Sequence, residues 1–463
     1  MSPGTGGTMN TGGTSTSGGT GGTTSTGGTS TSGGTTSAGG STSTGGASTS
    51  GGTGGSLGLG GSLAFGGAGE GGAGEGGVTN GAAGAGAGNE TSGAGGEGGS
   101  GGAVKQPLSG LIDMQIISWH NSDAGVPTFN VDELEPFAGL FGGIVINVAW
   151  NQLQPSQSDP IDFSFIDGAL ADVRVFNDNH PTAALGVKLR VYAGSTTPDW
   201  AKAINDGPVP IYRNHAGCAP PATLCPITVG KFWTPEFIAA WRALQTALAA
   251  RYDDEPLIRQ VAVTSCAAQT DEPFVATEDQ GPDGEEHAHQ ILKDYGYTDA
   301  LEQSCLSGAV DDYAAWKRTL IDYTFNPFNS IDGGLDSGFT TSVMEACREK
   351  LGARCVLDNH ALQWPEDSNL SAVYDEMSET LHAPINFQTQ APIPDKCQWT
   401  ATIADGVWRG ARAIEIWPAT KAGFIHLTSD QVGQLAAEFT TPIPVPAGTP
   451  TTDCNTSTGD IFF

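Results

Sequence analysis

Past residue 103 the chain alternates short apolar runs with stretches of helical periodicity, the pattern of repeated strand–helix units. Eight runs read as strands: Leu111–Trp119, Gly143–Trp150, Leu185–Tyr192, Arg259–Cys266, Tyr323–Ser330, Arg354–Ala361, Pro384–Gln390 and Arg412–Trp417. Helices are expected over Val131–Leu140, Phe163–Asn177, Pro235–Tyr252, Gly308–Leu320, Ser337–Leu351, Leu370–Leu381, Gln398–Gly410 and Ser429–Phe439. Pro235–Tyr252 is the clearest, with Thr234 at the N-cap and Pro235 at the first helical position. No Gly-x-Gly-x-x-Gly opens any of these helices, which argues against a dinucleotide-binding sheet. Eight strands alternating with eight helices predict an α/β fold, a closed (β/α)8 TIM barrel.

The period of two within each strand sorts its side chains by face. Lys188, Arg190 and Tyr192 share one face of the third strand, and Asn386, Gln388 and Gln390 share one face of the seventh. Ala413, Glu415 and Trp417 do so on the eighth. Their apolar neighbours must meet the helices, so these residues face the barrel axis. A barrel interior is normally filled with branched apolar side chains. Cations, amides and a carboxylate there predict a polar site at the C-terminal ends of the strands.

Residues 1–103 have another texture. They are almost wholly Gly, Ser, Thr and Ala, without the apolar side chains that could offset the entropy of ordering. A disordered tether is expected, with an r.m.s. reach of roughly 50–60 Å. Its one apolar patch, Leu57–Phe65, is too short and too broken by Gly to span a membrane. The predicted organisation is a tether over residues 1–103 and one barrel over residues 104–463.

Charge narrows the partners. The net charge is −30, and all but four of the 50 acidic residues follow residue 103. So acidic a surface excludes nucleic acid and anionic lipid as natural partners and suits a neutral polymer. The eight cysteines (Cys218, Cys225, Cys266, Cys305, Cys347, Cys355, Cys397 and Cys454) show no Cys-x2-Cys zinc spacing. Disulfides are expected, with Cys218–Cys225 and Cys347–Cys355 the first pairs to consider because each closes a short loop. Tether and disulfides together imply an extracellular or cell-surface location, although no signal peptide follows Met1. The acidic stretch Glu278–His289 lacks the ordered spacing of a calcium loop and reads as solvated.

Several segments resemble clan A glycoside hydrolases, a retaining (β/α)8 group. Asn147-Val148-Ala149-Trp150-Asn151-Gln152-Leu153-Gln154-Pro155 followed by Ile161-Asp162-Phe163 is similar to the clan's second-strand stretch. Leu189-Arg190-Val191-Tyr192-Ala193-Gly194, running to Pro198-Asp199-Trp200, is similar to its third-strand segment, and Trp417 stands where the clan places a sugar-stacking aromatic. The resemblance implies an acid/base Glu just beyond strand four, which falls on Glu272 in Asp271-Glu272-Pro273. It also implies a nucleophilic Glu ending strand seven, where this chain has Gln388 and Gln390. An amide cannot form the glycosyl ester.

Glu415 is then the expected second carboxylate, with a competing role as buried counter-ion of Arg190 or Lys188. Sugar contacts are expected from Asn147, Trp150, Arg190, Trp200, Asp358, His360, Gln388, Gln390 and Trp417, with Trp119 and Trp364 as further stacking candidates. The reaction so implied is hydrolysis of O-glycosidic bonds by a monomer, without metal or organic cofactor. The alternative is an inactive carbohydrate-binding or adhesive barrel.

Overall fold

The computed structural model describes residues 103–115, 117–118, 126–127, 129–214, 224–268, 271–274, 285–390 and 396–417. Eight parallel strands close into a barrel: β1 (Gly110–Asp113), β2 (Phe141–Ala149), β3 (Gly186–Tyr192), β4 (Ile258–Ala262), β5 (Leu320–Thr324), β6 (Cys355–Asp358), β7 (Ile385–Gln388) and β8 (Ala411–Ile416). Each strand pairs with its neighbours in chain order, and β1 closes the ring by pairing Ile112 with Glu415 of β8. The outer layer includes α1 (Ser164–Asn179), α2 (Pro235–Tyr252), α3 (Asp299–Asp312), α4 (Ser337–Leu351) and α5 (Lys396–Trp408). The fold is a (β/α)8 barrel.

The faces divide as the period of two requires. Ile144, Ile146 and Val148 of β2, and Ile414 and Ile416 of β8, join one large core between sheet and helices. The interior set starts with a separate small cluster of Leu108, Ile112, Val145 and Ala413. Leu108 enters where Gly143 and Gly186 pair across β2 and β3. A Cβ on Gly186 would lie 2.5 Å from a Leu108 methyl, so these two glycines make room for the plug. Upstream of Leu108, the Lys105 ammonium donates to the Ile258 carbonyl at 2.7 Å and to the Thr319 hydroxyl at 2.8 Å. The Lys105 amide donates to the Arg318 carbonyl at 2.9 Å. Burial lowers the Lys105 pKa to about 8.

All eight expected strands have counterparts, but several boundaries move. The helix expected at Gly308–Leu320 is α3, which starts earlier at Asp299 because the Thr298 hydroxyl accepts from the Leu301 amide. The segment after α3 instead gives its amides, from Lys317 to Thr319, to the Asp253 carboxylate. That frees Leu320 and Ile321 to begin β5, three residues before the expected start. Val131–Phe137 forms a 3-10 helix containing Pro136, shorter than the expected Val131–Leu140. Proline removes a donor and crowds the preceding turn, which ends the element early. Thr234 occupies the N-cap of α2, yet its hydroxyl donates to the Lys231 carbonyl at 2.7 Å and leaves the helix amides alone.

Among the described residues two disulfides tie the outer layer to the barrel. Cys347–Cys355 joins the end of α4 to β6, as its short loop predicts, and Cys266–Cys305 joins the end of β4 to α3. The expected Cys218–Cys225 pair and the helix Ser429–Phe439 lie outside the described residues, as do Trp119 and most of Glu278–His289. Among the described residues no helix is long and apolar enough to cross a membrane.

Candidate functional site

Above the apolar floor, the barrel interior becomes charged. The Lys188 ammonium on β3 lies 2.8 Å from Asp322 of β5, 2.7 Å from Asp358 of β6 and 3.3 Å from Glu415 of β8. Two residues on, Arg190 donates through both terminal nitrogens to both Glu415 oxygens, at 2.8 and 2.7 Å. Its Nε faces Asp271, in the segment after β4, as an ion pair at 2.5 Å with the N–H off line. His360, beyond β6, completes the group, with Nε2 3.2 Å from Asp358 and Nδ1 3.6 Å from Asp271. All these side chains are buried.

Charges removed from water persist only when their partners compensate for lost hydration. Burial alone would lower the Lys188 pKa, but Asp322, Asp358 and Glu415 raise it well above the usual lysine range. Burial likewise opposes the His360 cation, and Asp271 with Asp358 outweighs it, raising the pKa to about 9. Asp358 is held well below the usual carboxylate range against its burial, by Lys188 and then His360. Asp322 goes the other way: burial and the negative Asp358 push it up to about 7. Burial opposes the Asp271 carboxylate too, and Arg190 followed by His360 lowers its pKa. Three cations therefore face three anions and an Asp322 poised to hold a proton.

Glu272 follows Asp271 in the same segment. It is half-buried and accepts from the Asn326 amide at 2.7 Å. Asn326 in turn accepts from Asn359 at 2.6 Å, and the Asn359 oxygen takes the Tyr374 hydroxyl at 2.9 Å. A line of hydrogen bonds thus sets the position of Asn326. The segment bearing Asp271 and Glu272 is anchored at its root, where Cys266 has a positive φ of 62° and carries the disulfide to α3. Left-handed backbone at a non-glycine residue costs on the order of 1–3 kcal/mol, so it persists only where surrounding structure imposes it.

Other expected site residues distribute unevenly. Asn147 on β2 is buried, and its amide nitrogen donates to the Gln115 carbonyl, so its side-chain oxygen is the end left over. Among the described residues that oxygen has no hydrogen-bond partner, nor does the Gln388 side-chain oxygen or the half-buried Trp417 indole nitrogen. Gln388 pairs in register with Glu415, one strand away. Gln390 is exposed, and its backbone pairs with Leu362.

Trp150 is not in the barrel mouth. The strand ends at Ala149, and Trp150 has the parity of the outward set. Its ring is wholly buried against Trp200, Phe237 and Trp241, with centroids 5.2–5.7 Å away. Trp200 is half-buried in the same group and donates to the Gln154 carbonyl at 3.1 Å. Trp364 is half-buried and precedes a cis proline.

Sequence reasoning missed Asp322, Asn326 and Asn359. Starting strand five at Tyr323 placed Asp322 outside it. In Leu320-Ile321-Asp322-Tyr323-Thr324 the same period of two that marked Lys188 and Glu415 turns Asp322 inward. Asn326 and Asn359 act past the strand ends, where periodicity carries no signal.

No family model matches the sequence, and no curated protein matches it. Among solved structures the chain is similar to endoglycoceramidase II from Rhodococcus sp., at 14% identity over 68% of this chain and 76% of that one, with a TM-score of 0.41. It is similar to a GH5 (subfamily 4) endo-β-1,4-glucanase from Bacillus licheniformis, at 12% identity over 73% of this chain and 60% of that one (TM-score 0.37). An old yellow enzyme homologue from Zymomonas mobilis scores alike, at 12% identity over 70% and 91%, with a TM-score of 0.40. At this level the likeness is one of general architecture. The fold assignment rests on the closed parallel barrel itself, and the chemistry has to be read from the side chains.

Proposed function

We propose that the barrel is a carbohydrate-recognition module of glycosidase-like build, with its glycan site at the C-terminal ends of the strands. One contrast carries this reading. Both oxygens of Glu415, the carboxylate that would have to attack the sugar, are held by buried Arg190, whereas Asn147, Gln388 and Trp417 each keep a hydrogen-bonding atom without a partner among the described residues. Buried polar groups are costly unless paired, and sugar hydroxyls can pair with all three kinds of atom. The Trp417 ring offers an apolar face for sugar C–H groups. Arg190, Asp358 and His360 support the site from beneath as members of the ion network, and Glu415 is their counter-ion.

Residues 1–103 act as a tether for a barrel that begins at residue 104. The domain works outside the cell or on its surface as a monomer, an environment in which the Cys266–Cys305 and Cys347–Cys355 disulfides persist.

Hydrolysis is the second reading, favoured by one observation. Glu272 is half-buried and hydrogen-bonded to Asn326, in the segment that follows strand four, where the resemblance expects an acid/base. In that reading Glu272 protonates the leaving oxygen and Glu415 attacks the anomeric carbon. A paired assay separates the two. Wild type and Glu272→Gln are screened with aryl glycosides, for reducing ends released from polysaccharides, and for retardation in polysaccharide-containing gels. Retardation of both proteins without turnover is the expected result. Turnover by the wild type that falls at least about 100-fold in Glu272→Gln would establish the hydrolase instead.

A further inference from the structure

We infer that the mouth selects uncharged, hydroxyl-rich glycans and rejects polyanionic ones, an inference that rests on the reading of the mouth as a carbohydrate site. Recognition of uronate, sulfate or phosphate groups calls for a cation whose charge is available to the ligand, most often an Arg or Lys donor. The described interior contains three cationic side chains, and each is already committed to carboxylates. Lys188 lies among Asp322, Asp358 and Glu415, and Arg190 among Glu415 and Asp271. His360 faces Asp358 and Asp271. Asp271, Asp358 and Glu415, with Asp322 beside them, surround the three cations, so no positive charge in the described interior is left over for an acidic sugar.

The unpartnered atoms point the same way. The Asn147 and Gln388 oxygens are acceptors without a partner among the described residues, inside side chains that are 2% and 5% exposed, and a group that donates would satisfy them. The orientation of the Asn147 amide is set by the Gln115 carbonyl, which can only accept. A sugar hydroxyl donates and accepts at once, whereas an ionised carboxylate or sulfate ester accepts only. An anionic group placed beside these oxygens would leave them unsatisfied and meet the negative side of the network.

The test uses the full-length protein in affinity electrophoresis. The gels contain a neutral polysaccharide panel (β-glucan, xylan, galactan and mannan) or an acidic one (polygalacturonate, alginate and chondroitin sulfate). Dissociation constants for the responsive polymers are then measured by calorimetry at about 50 mM and about 0.5 M NaCl. At the higher salt the repulsion from the acidic protein surface is screened, and the site itself decides. The expected result is retardation by at least one neutral polymer, with an affinity that changes less than threefold between the two salts, and none by the acidic polymers at either salt.

Asp271→Asn, which releases the Arg190 Nε and one side of His360, should add binding of an acidic polymer that weakens as salt rises. Circular dichroism and retained neutral-polymer binding show that the variant is folded. Should Asp271→Asn unfold, the wild-type comparison of neutral and acidic polymers at the two salts decides alone. Acidic polymers bound by wild type as tightly as neutral ones would overturn the selectivity and leave the carbohydrate site standing. A folded Asp271→Asn with no gain toward acidic polymers would also count against it. Absence of binding to every polymer would instead overturn the carbohydrate reading.

Discussion

The lower and upper halves of the barrel interior solve the same packing problem with opposite chemistry. Below, Leu108, Ile112, Val145 and Ala413 fill the space with apolar atoms, made possible by side-chain-free Gly143 and Gly186. Above, β3, β5, β6 and β8 carry Lys188, Arg190, Asp322, Asp358 and Glu415, joined by His360 and Asp271 from past the strand ends. The floor is cheap to build and indifferent to its surroundings. The upper network has to satisfy every charge at once, and it dictates where each side chain lies. Barrels keep their ligand sites at the C-terminal end, and the costly half of this interior lies at that end.

Removing one member of the upper network should have the largest effect. Lys188→Met leaves Asp322, Asp358 and Glu415 clustered without their shared ammonium. A destabilisation of about 3–5 kcal/mol is expected, because an orphaned buried charge is penalised more than a pair is rewarded. Urea denaturation followed by tryptophan fluorescence reads it out, and a change below about 1 kcal/mol would show that the carboxylates relax by other means. In the floor, Leu108→Ala should cost about 3 kcal/mol through lost burial and the cavity left behind.

Alkaline pH distinguishes the halves next. His360 is raised from 6.5 to about 9, so its contribution is full below 6.5 and fades as pH rises through 9. Asp322, raised from 3.8 to about 7, contributes in the same sense and fades as pH rises through 7. Asp271 and Asp358, both lowered, contribute above 3.8 and lose that contribution in acid. Wild-type stability should therefore fall between about pH 6.5 and 9 through His360, after an earlier loss between 3.8 and 7 through Asp322. Leu108→Ala should follow a parallel curve displaced downward, and His360→Gln a flatter one. Parallel curves for all three would remove His360 from the account. The smallest effect on stability is expected for half-buried Trp417→Ala, under about 1 kcal/mol, while affinity for a neutral polysaccharide falls about tenfold or more.

The contrast between the halves also marks what the sequence could disclose. The barrel was legible because eight apolar runs keep the strand period, and Lys188, Arg190, Asn386, Gln388 and Glu415 stood out as polar residues on inward positions. Glu415 as partner of Arg190 was one of two readings open from parity alone, because parity gives the face and says nothing of the partner across the barrel. Asp322 was hidden by a boundary error of three residues, since α3 and β5 are separated by a turn held by the distant Asp253 carboxylate. Trp150 illustrates the converse: a motif placed it at a sugar site, whereas its parity sends it into the aromatic group with Trp241. Leu108 carried no periodic signal, because the plug precedes the first strand.

The most direct test of the central claim is Glu415→Gln, examined for polysaccharide affinity and glycosidase turnover beside the wild type. The substitution keeps the shape and withdraws the charge that Arg190 and Lys188 hold. A supporting counter-ion predicts no turnover in either protein, a stability loss of about 1–3 kcal/mol, and polysaccharide binding that persists in the folded variant. Turnover by the wild type that vanishes in a folded, polysaccharide-binding Glu415→Gln would contradict the account and make Glu415 the nucleophile.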